Sequence, residues 1–354
     1  MALLRLDVET PITQIVAAIN KEHGLSVSKD QMQKRVKSLR PRLALEQGKI
    51  QRATSSPVSY LDRLAVPAFA GGSVVAFMGD TQFPYEDPAA WALTLAWVRD
   101  VRPSQIVLTG DILDGYSVSR FDKDPRAMSI QAELQYTHER LAELVSAAGA
   151  LCQISWVAGN HEDRLARYVM GQAPQLVGLK RAGEVRELLT VPFLTAADDL
   201  GIEWIGAKPG DLGGDHNNAV LRIAPDLVAT HGYFSRRGGG GASILPLVEA
   251  YDCSVIGGHD HKQGIGLVTK GGVAGSAVRR LRAISTGMLC QRDLGYAPVG
   301  YSNWQLGFAT VEIHDDGSWA PDLAEIDAAR GVLIWRGQRW IAPKQTGNRK
   351  GGTR

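Results

Sequence analysis

Five short apolar runs constrain this chain most: Val74 to Met78, Ile106 to Leu108, Ile154 to Val157, Leu227 to Ala229, and Ser254 to Ile256. Each stops abruptly in a polar cluster. The clusters read Gly79-Asp80-Thr81-Gln82, Gly110-Asp111-Ile112-Leu113-Asp114, Gly159-Asn160-His161-Glu162, Thr230-His231-Gly232 and Gly257-Gly258-His259-Asp260-His261. A lone Gly-Asn pair usually does no more than turn the chain. Five runs of strand length that all deliver Asp, Asn or His at their ends point instead to a shared metal site.

The segments between these runs set the fold class. Pro88 to Val101 reads as an amphipathic helix with Trp91, Leu93, Leu95, Trp97 and Val98 available for burial, and Met128 to Ala148 reads as a longer helix. Ala242 to Tyr251 reads as a third, leading into a strand at Cys253 to Ile256. Strands alternating with helices imply α/β layers rather than an all-β barrel. The runs Ile265 to Val268, Leu281 to Ile284, Phe308 to Ile313 and Val332 to Trp335 look like antiparallel strands. Turn signals stand at Asp315-Asp316-Gly317 and Arg336-Gly337.

At 354 residues the chain has room for a large core and a second, smaller unit. Net charge is only +2, yet residues 1–66 carry +5 and the remainder −3. Helical spacing of Ile12, Ile15, Val16 and Ile19 is followed by a turn at Gly24 to Ser28. A second helix then starts near Asp30, with Lys34, Arg35, Lys37 and Arg40 off its apolar face. Two short helices of this kind resemble a helix-turn-helix that meets DNA. A helical hairpin that packs on the catalytic unit or mediates oligomerisation is the alternative. The expected domains are 1–66, a basic helical segment and linker; 67–343, the catalytic unit; and 344–354, a disordered tail.

The absence of a signal-like apolar stretch and of any run near 20 apolar residues leads to the expectation of a cytoplasmic protein that does not enter membranes. Three cysteines without CxxC spacing fit a reducing compartment, with Cys152 and Cys253 as small core residues. His138 and His216 lie outside the clusters and read as ordinary surface residues.

Oxygen and imidazole donors without thiolates suit manganese, iron, zinc or nickel in five- or six-coordinate sites. Seven candidate donors are too many for one ion and suit two that share a carboxylate. Two ions about 3.5–4 Å apart can hold a bridging hydroxide and clamp a phosphate ester.

In order and spacing the five clusters resemble the calcineurin-like metallophosphoesterase superfamily, over roughly residues 73 to 314. Gly115-Tyr116-Ser117 and Glu162-Asp163-Arg164 are similar to enzymes often encoded by phages and prophages. The resemblance implies a four-layer αββα sandwich with a small N-terminal helical domain. It implies one ion held by Asp80, Gln82, Asp111 and His261, and another by Asp111, Asn160, His231 and His259, with Asp111 bridging. Manganese is the first expectation, with iron, zinc, nickel or magnesium as alternatives.

His161 matches the residue that protonates the leaving alkoxide after hydroxide attack, and Asp114 would orient it. Gln82 stands where the family usually has His, and Gly115 where its protein phosphatases carry a phosphate-binding Arg. Arg236 and Arg237, before Gly238 to Gly241, form either a mobile phosphate-receiving loop or a solvated turn. The expected activity is hydrolysis of a phosphodiester, nucleic acid or nucleotide, in the host cytoplasm if phage-encoded. The alternatives are a phosphomonoesterase, or a DNA- or partner-binding protein that uses the fold as a scaffold.

Overall fold

The structure is a computed structural model that describes residues 72–120, 122, 124, 127–206, 219–272, 277–292 and 303–342. The basic helix pair, the linker, His216 and the tail from 344 lie outside the described residues.

Two sheets form the middle of the described residues. The first follows the chain through β1 (Ser73–Met78), β2 (Gln105–Leu108), β3 (Gln153–Val157) and β4 (Ile202–Ile205), all parallel neighbours. On the other side of β1 it continues antiparallel into β10 (Gly307–Ile313), β11 (Trp319–Asp327), β12 (Val332–Trp335) and β13 (Gln338–Ile341). The second sheet has the order β5 (Val220–Ala224), β6 (Leu227–Thr230), β7 (Ser254–Gly257), β9 (Arg279–Thr286) and β8 (Gln263–Lys270).

The central strands are apolar throughout because both of their faces are covered. Successive side chains point to opposite faces. Val75, Phe77, Val107 and Val157 therefore meet Ile223, Leu227, Ala229, Ile256 and Ile284 of the second sheet in one core. The alternate residues Ala76, Met78, Ile106, Leu108, Ile154 and Trp156 belong to a core shared with two helices. These are α1 (Pro88–Val101), which contributes Trp91, Leu93, Trp97 and Val98, and α2 (Ile130–Ala148), which contributes Leu134, Leu141 and Leu144. Two shorter helices, α3 (Asp163–Gln172) and α4 (Val191–Leu194), follow β3, and α5 (Leu245–Tyr251) packs on β7 and β9. The result is the expected helix–sheet–sheet–helix stack.

Local chemistry fixes the helix ends. Asp87 caps α1 by accepting the Ala89 and Ala90 N–H groups at 3.0 and 2.9 Å, with Pro88 opening the first turn. Ser129 caps α2 through the Ala132 N–H at 3.3 Å.

Some expectations need correction. The strands of the last third are not purely antiparallel: β9 pairs parallel with β7 on one side and antiparallel with β8 on the other. Cys152 is half-buried at the start of β3, whereas Cys253 and Cys290 are buried. His138 is also half-buried rather than at the surface, with Nδ1 2.9 Å from the Thr195 carbonyl. Among the described residues, no helix is long and apolar enough to cross a membrane.

Candidate active site

Parallel strands place their C-terminal ends along one edge, and the polar clusters gather there. The loop after β1 carries Asp80 and Gln82, that after β2 carries Asp111 and Asp114, and that after β3 carries Asn160, His161 and Glu162. The second sheet adds His231 after β6, and His259 and His261 after β7.

Sharp turns make this possible. Of the nine non-glycine residues with positive φ among the described residues, five are candidate ligands: Asp80, Gln82, Asp111, His259 and His261, at φ 48–76°. Such backbone strain persists only where the surroundings enforce it. Two glycines admit the carboxylates. A Cβ on Gly159 would land on Asp111 Oδ1, and one on Gly258 would land on Asp80 Oδ2.

Donor atoms converge around Asp111. Asn160 Oδ1 lies 3.1 Å from His231 Nε2 and 2.8 Å from His259 Nδ1, and those two nitrogens are 3.2 Å apart. Asp111 Oδ2 is 3.3 Å from His231 Nε2. Ligands about 2.1 Å from one ion and at right angles to one another stand about 3 Å apart, so these spacings fit a shared cation. His231 Nδ1 sits 2.8 Å from the Thr109 carbonyl, which takes the ring proton there and leaves Nε2 to the cluster. Among the described residues, Asp111, His231 and His259 form the one group of three or more His, Cys, Asp or Glu whose donor atoms all lie within 4.8 Å.

The charges follow from the crowding. Burial opposes ionisation of Asp111, but the imidazoles of His161, His231 and His259 outweigh it and hold the carboxyl well below its usual range. Burial likewise opposes charge on His231. The Asp111 carboxylate, backed by Asp80 and Glu162, overcomes it and raises the imidazole to about 10. His259, penalised by burial and then by the charge on His231, drops to about 4.

The other half is looser. His261 Nε2 is 3.2 Å from Asp80 Oδ1, and the Gln82 amide nitrogen lies 3.4 Å from the same ring nitrogen. A half-turn of that amide presents its oxygen instead. Asp80 accepts the His259 N–H at 3.0 Å through Oδ2, tying the two halves together. The Trp304 ring packs edge-on to His261 with centroids 4.4 Å apart.

His161 stands beside the Asp111 cluster. Its Nδ1 is 3.2 Å from Asp114 Oδ1 and its Nε2 is 3.5 Å from Asp111 Oδ2. Burial disfavours its charged form, but the charge of Asp111 and the hydrogen bond of Asp114 prevail, and its pKa is raised above the usual value. Arg236 and Arg237 are exposed. The Arg236 guanidinium lies over the Phe234 ring at 5.6 Å, while its carbonyl accepts the Lys262 ammonium at 2.5 Å. The loop is thus anchored next to His261 by its backbone, and the Arg236 guanidinium rests on an aromatic ring rather than on a candidate ligand.

Three supporting roles were not assigned from the sequence, although Glu162 and Arg164 stand in or beside the third cluster. Glu162 accepts backbone N–H groups from Gly159, Asp111 and Ile112 at 2.7, 2.9 and 2.7 Å, joining the β2 and β3 loops. Its place directly after His161 was the available signal. Glu133, a carboxylate on the buried face of α2, accepts the Gly115 N–H. Arg164 places Nη1 2.6 Å from the Asp114 carbonyl and Nη2 2.9 Å from His161 Nε2.

The profile of the calcineurin-like phosphoesterase family matches residues 73–263, a span that holds all of these clusters. The chain belongs to that family. As a calcineurin-like phosphoesterase it is a metal-dependent phosphoester hydrolase, from a family that typically uses two metal ions. Two curated relatives are the gene 54 proteins of Mycobacterium phages L5 and D29. Each is 27% identical, over 266 and 267 residues respectively, covering 72% of this chain and 94% of the relative. Among solved structures, vacuolar protein sorting 29 from Cryptosporidium parvum is 13% identical, covering 77% of this chain and 100% of that one, with a TM-score of 0.37. A dimetal phosphatase from Danio rerio is 13% identical, covering 75% and 96%, with a TM-score of 0.34.

Proposed function

We propose that this phosphoesterase cleaves phosphodiesters, in nucleic acid or nucleotides, at a two-ion centre with His161 as the proton donor. The observation that carries the reading is the packing of Asn160 Oδ1, His231 Nε2 and His259 Nδ1 within 2.8–3.2 Å of one another beside Asp111, with His161 at the edge of the same cluster. Asp111, Asn160, His231 and His259 would hold one divalent ion, and Asp80, Gln82, Asp111 and His261 the other. Manganese suits the mixed oxygen and imidazole set. When bound, the ions supply positive charge against the phosphoryl oxygens and a hydroxide nucleophile near neutral pH.

The protein groups supply the rest. His161 delivers a proton to the departing alkoxide, which is a poor leaving group without one. Asp114 holds the imidazole from its Nδ1 side. Glu162 keeps the Asp111 and Gly159 loops in register, so that the Asp111 carboxylate and Asn160 meet the imidazoles of the second sheet.

The preference for a polyanionic diester rests on the charge of +5 in residues 1–66 and on the helix pair read there. Attraction of that kind weakens steeply with salt. The phage relatives favour the host cytoplasm as the place of action.

The test is hydrolysis of bis-p-nitrophenyl phosphate beside p-nitrophenyl phosphate, with added Mn²⁺ and with chelator. The reading expects metal-dependent cleavage that favours the diester. Preference for the monoester would make the protein a phosphomonoesterase. No cleavage of either ester by metal-loaded protein would shift the reading to a DNA- or partner-binding scaffold.

A further inference from the structure

We infer that Arg164 is a phosphate-binding residue of this centre: its guanidinium takes a non-bridging oxygen of the substrate on the leaving-group side. The inference rests on the phosphoesterase reading and deepens it. Arg164 follows His161 by three residues, at the start of α3, and its side chain is 18% exposed. A guanidinium with that much burial needs partners. The Asp114 carbonyl takes Nη1 at 2.6 Å, and Asp114 Oδ2 lies 3.5 Å from the same nitrogen. Nη2 lies 2.9 Å from His161 Nε2. With five N–H groups in a planar fork, Arg164 has donors beyond these contacts to offer an oxyanion.

Two features make the position one for a ligand. The first is the partner of Nη2. A guanidinium can only donate, so this contact is a hydrogen bond in the neutral tautomer of His161 that carries its proton on Nδ1, towards Asp114, and accepts at Nε2. The same nitrogen cannot at that moment donate to a leaving group. An arriving phosphate oxygen gives the guanidinium a stronger, charge-assisted partner and leaves Nε2 facing the ester oxygen. The second is Gly115. A Cβ built there would meet Arg164 Cδ at 3.4 Å and Cβ at 3.5 Å, and its φ of 64° disfavours any side chain. The arginine therefore lies within ordinary contact range of bare backbone, at a position whose φ disfavours a side chain. Glu133 holds the Gly115 N–H from below and fixes that floor.

Binding of inorganic phosphate to the Mn²⁺-loaded full chain, followed by calorimetry, tests the assignment for wild type, Arg164→Ala and Arg164→Lys. Ester hydrolysis and melting temperature are read alongside. The expected result is phosphate affinity at least about tenfold weaker in Arg164→Ala, the loss of one charge-assisted contact, and partly restored in Arg164→Lys, which keeps the charge without the planar fork. The KM for bis-p-nitrophenyl phosphate should rise in step. Unchanged phosphate affinity in a folded Arg164→Ala with reduced kcat would overturn the assignment and make Arg164 a positioning residue for His161. Wild type that cleaves esters while Arg164→Ala binds phosphate equally well overturns this inference alone. Wild type that neither cleaves an ester nor binds phosphate overturns the functional reading with it.

Discussion

The two halves of the proposed metal centre are built differently. Around Asp111, four donor groups are packed within ligand distance, and a buried carboxylate, Glu162, pins the loops that carry them through three N–H groups. Around Asp80, one of the donors is the Gln82 amide, its approach to His261 is 3.4 Å, and the support is backbone pairing together with the His259 N–H on the Asp80 carboxylate. The Asp80 N–H donates to the Gly110 carbonyl, the Gln82 N–H donates to the Asp111 carbonyl, and the Cys290 N–H donates to the Asp80 carbonyl. A preorganised half and a looser half imply two ions of unequal affinity, because a cluster already drawn together loses less freedom on binding.

The largest change should come from the one group common to both halves. Asp111→Asn removes the shared charge, and turnover should fall about a thousandfold or more with both ions weakened, read by hydrolysis and metal content. A loss confined to one ion would mean that Asp111 does not bridge. Glu162→Gln should weaken the Asp111-side ion about 10- to 100-fold while leaving the other nearly unchanged, in Mn²⁺ titrations. Equal weakening of both would erase the distinction between the halves. Gln82→His should act the other way, tightening the looser ion by about tenfold, since an imidazole nitrogen is the stronger donor.

The smallest effect on the centre itself should come from Glu133→Gln, which retains an acceptor for Gly115. Burial lifts the Glu133 carboxyl from 4.5 to about 7. A carboxyl whose pKa is raised on folding contributes stability when protonated, and that contribution is lost as pH rises. Wild type should therefore lose up to about 3 kcal/mol between about pH 4.5 and 7, at 1.36 kcal/mol per pKa unit. Glu133→Gln should remove that portion of the slope in denaturant unfolding. Parallel slopes in the two proteins would show that Glu133 is ionised without cost.

The strands and main helices were legible because burial on both faces forces apolar runs of strand length, and α1 spans the residues that its apolar periodicity marks. The ligand candidates were legible because each stands where such a run stops. Strand partners were not, since β9 looks the same in sequence whether its neighbour is parallel or antiparallel. Nor were the supporting contacts. Glu133 is 18 residues from Gly115, and Arg164 reaches the Asp114 carbonyl from 50 residues away, so only the packed loops reveal either pairing. The left-handed backbone at Asp80, Gln82, Asp111, His259 and His261 is likewise imposed by tertiary structure on residue types that carry no glycine-like mark.

Calorimetric titration of Mn²⁺ into the full chain, with diester hydrolysis followed at each step, tests the central claim most directly. Two ions per chain are predicted, with affinities at least about tenfold apart and activity rising with the weaker. A single ion supporting full activity, or two indistinguishable ions, would contradict it.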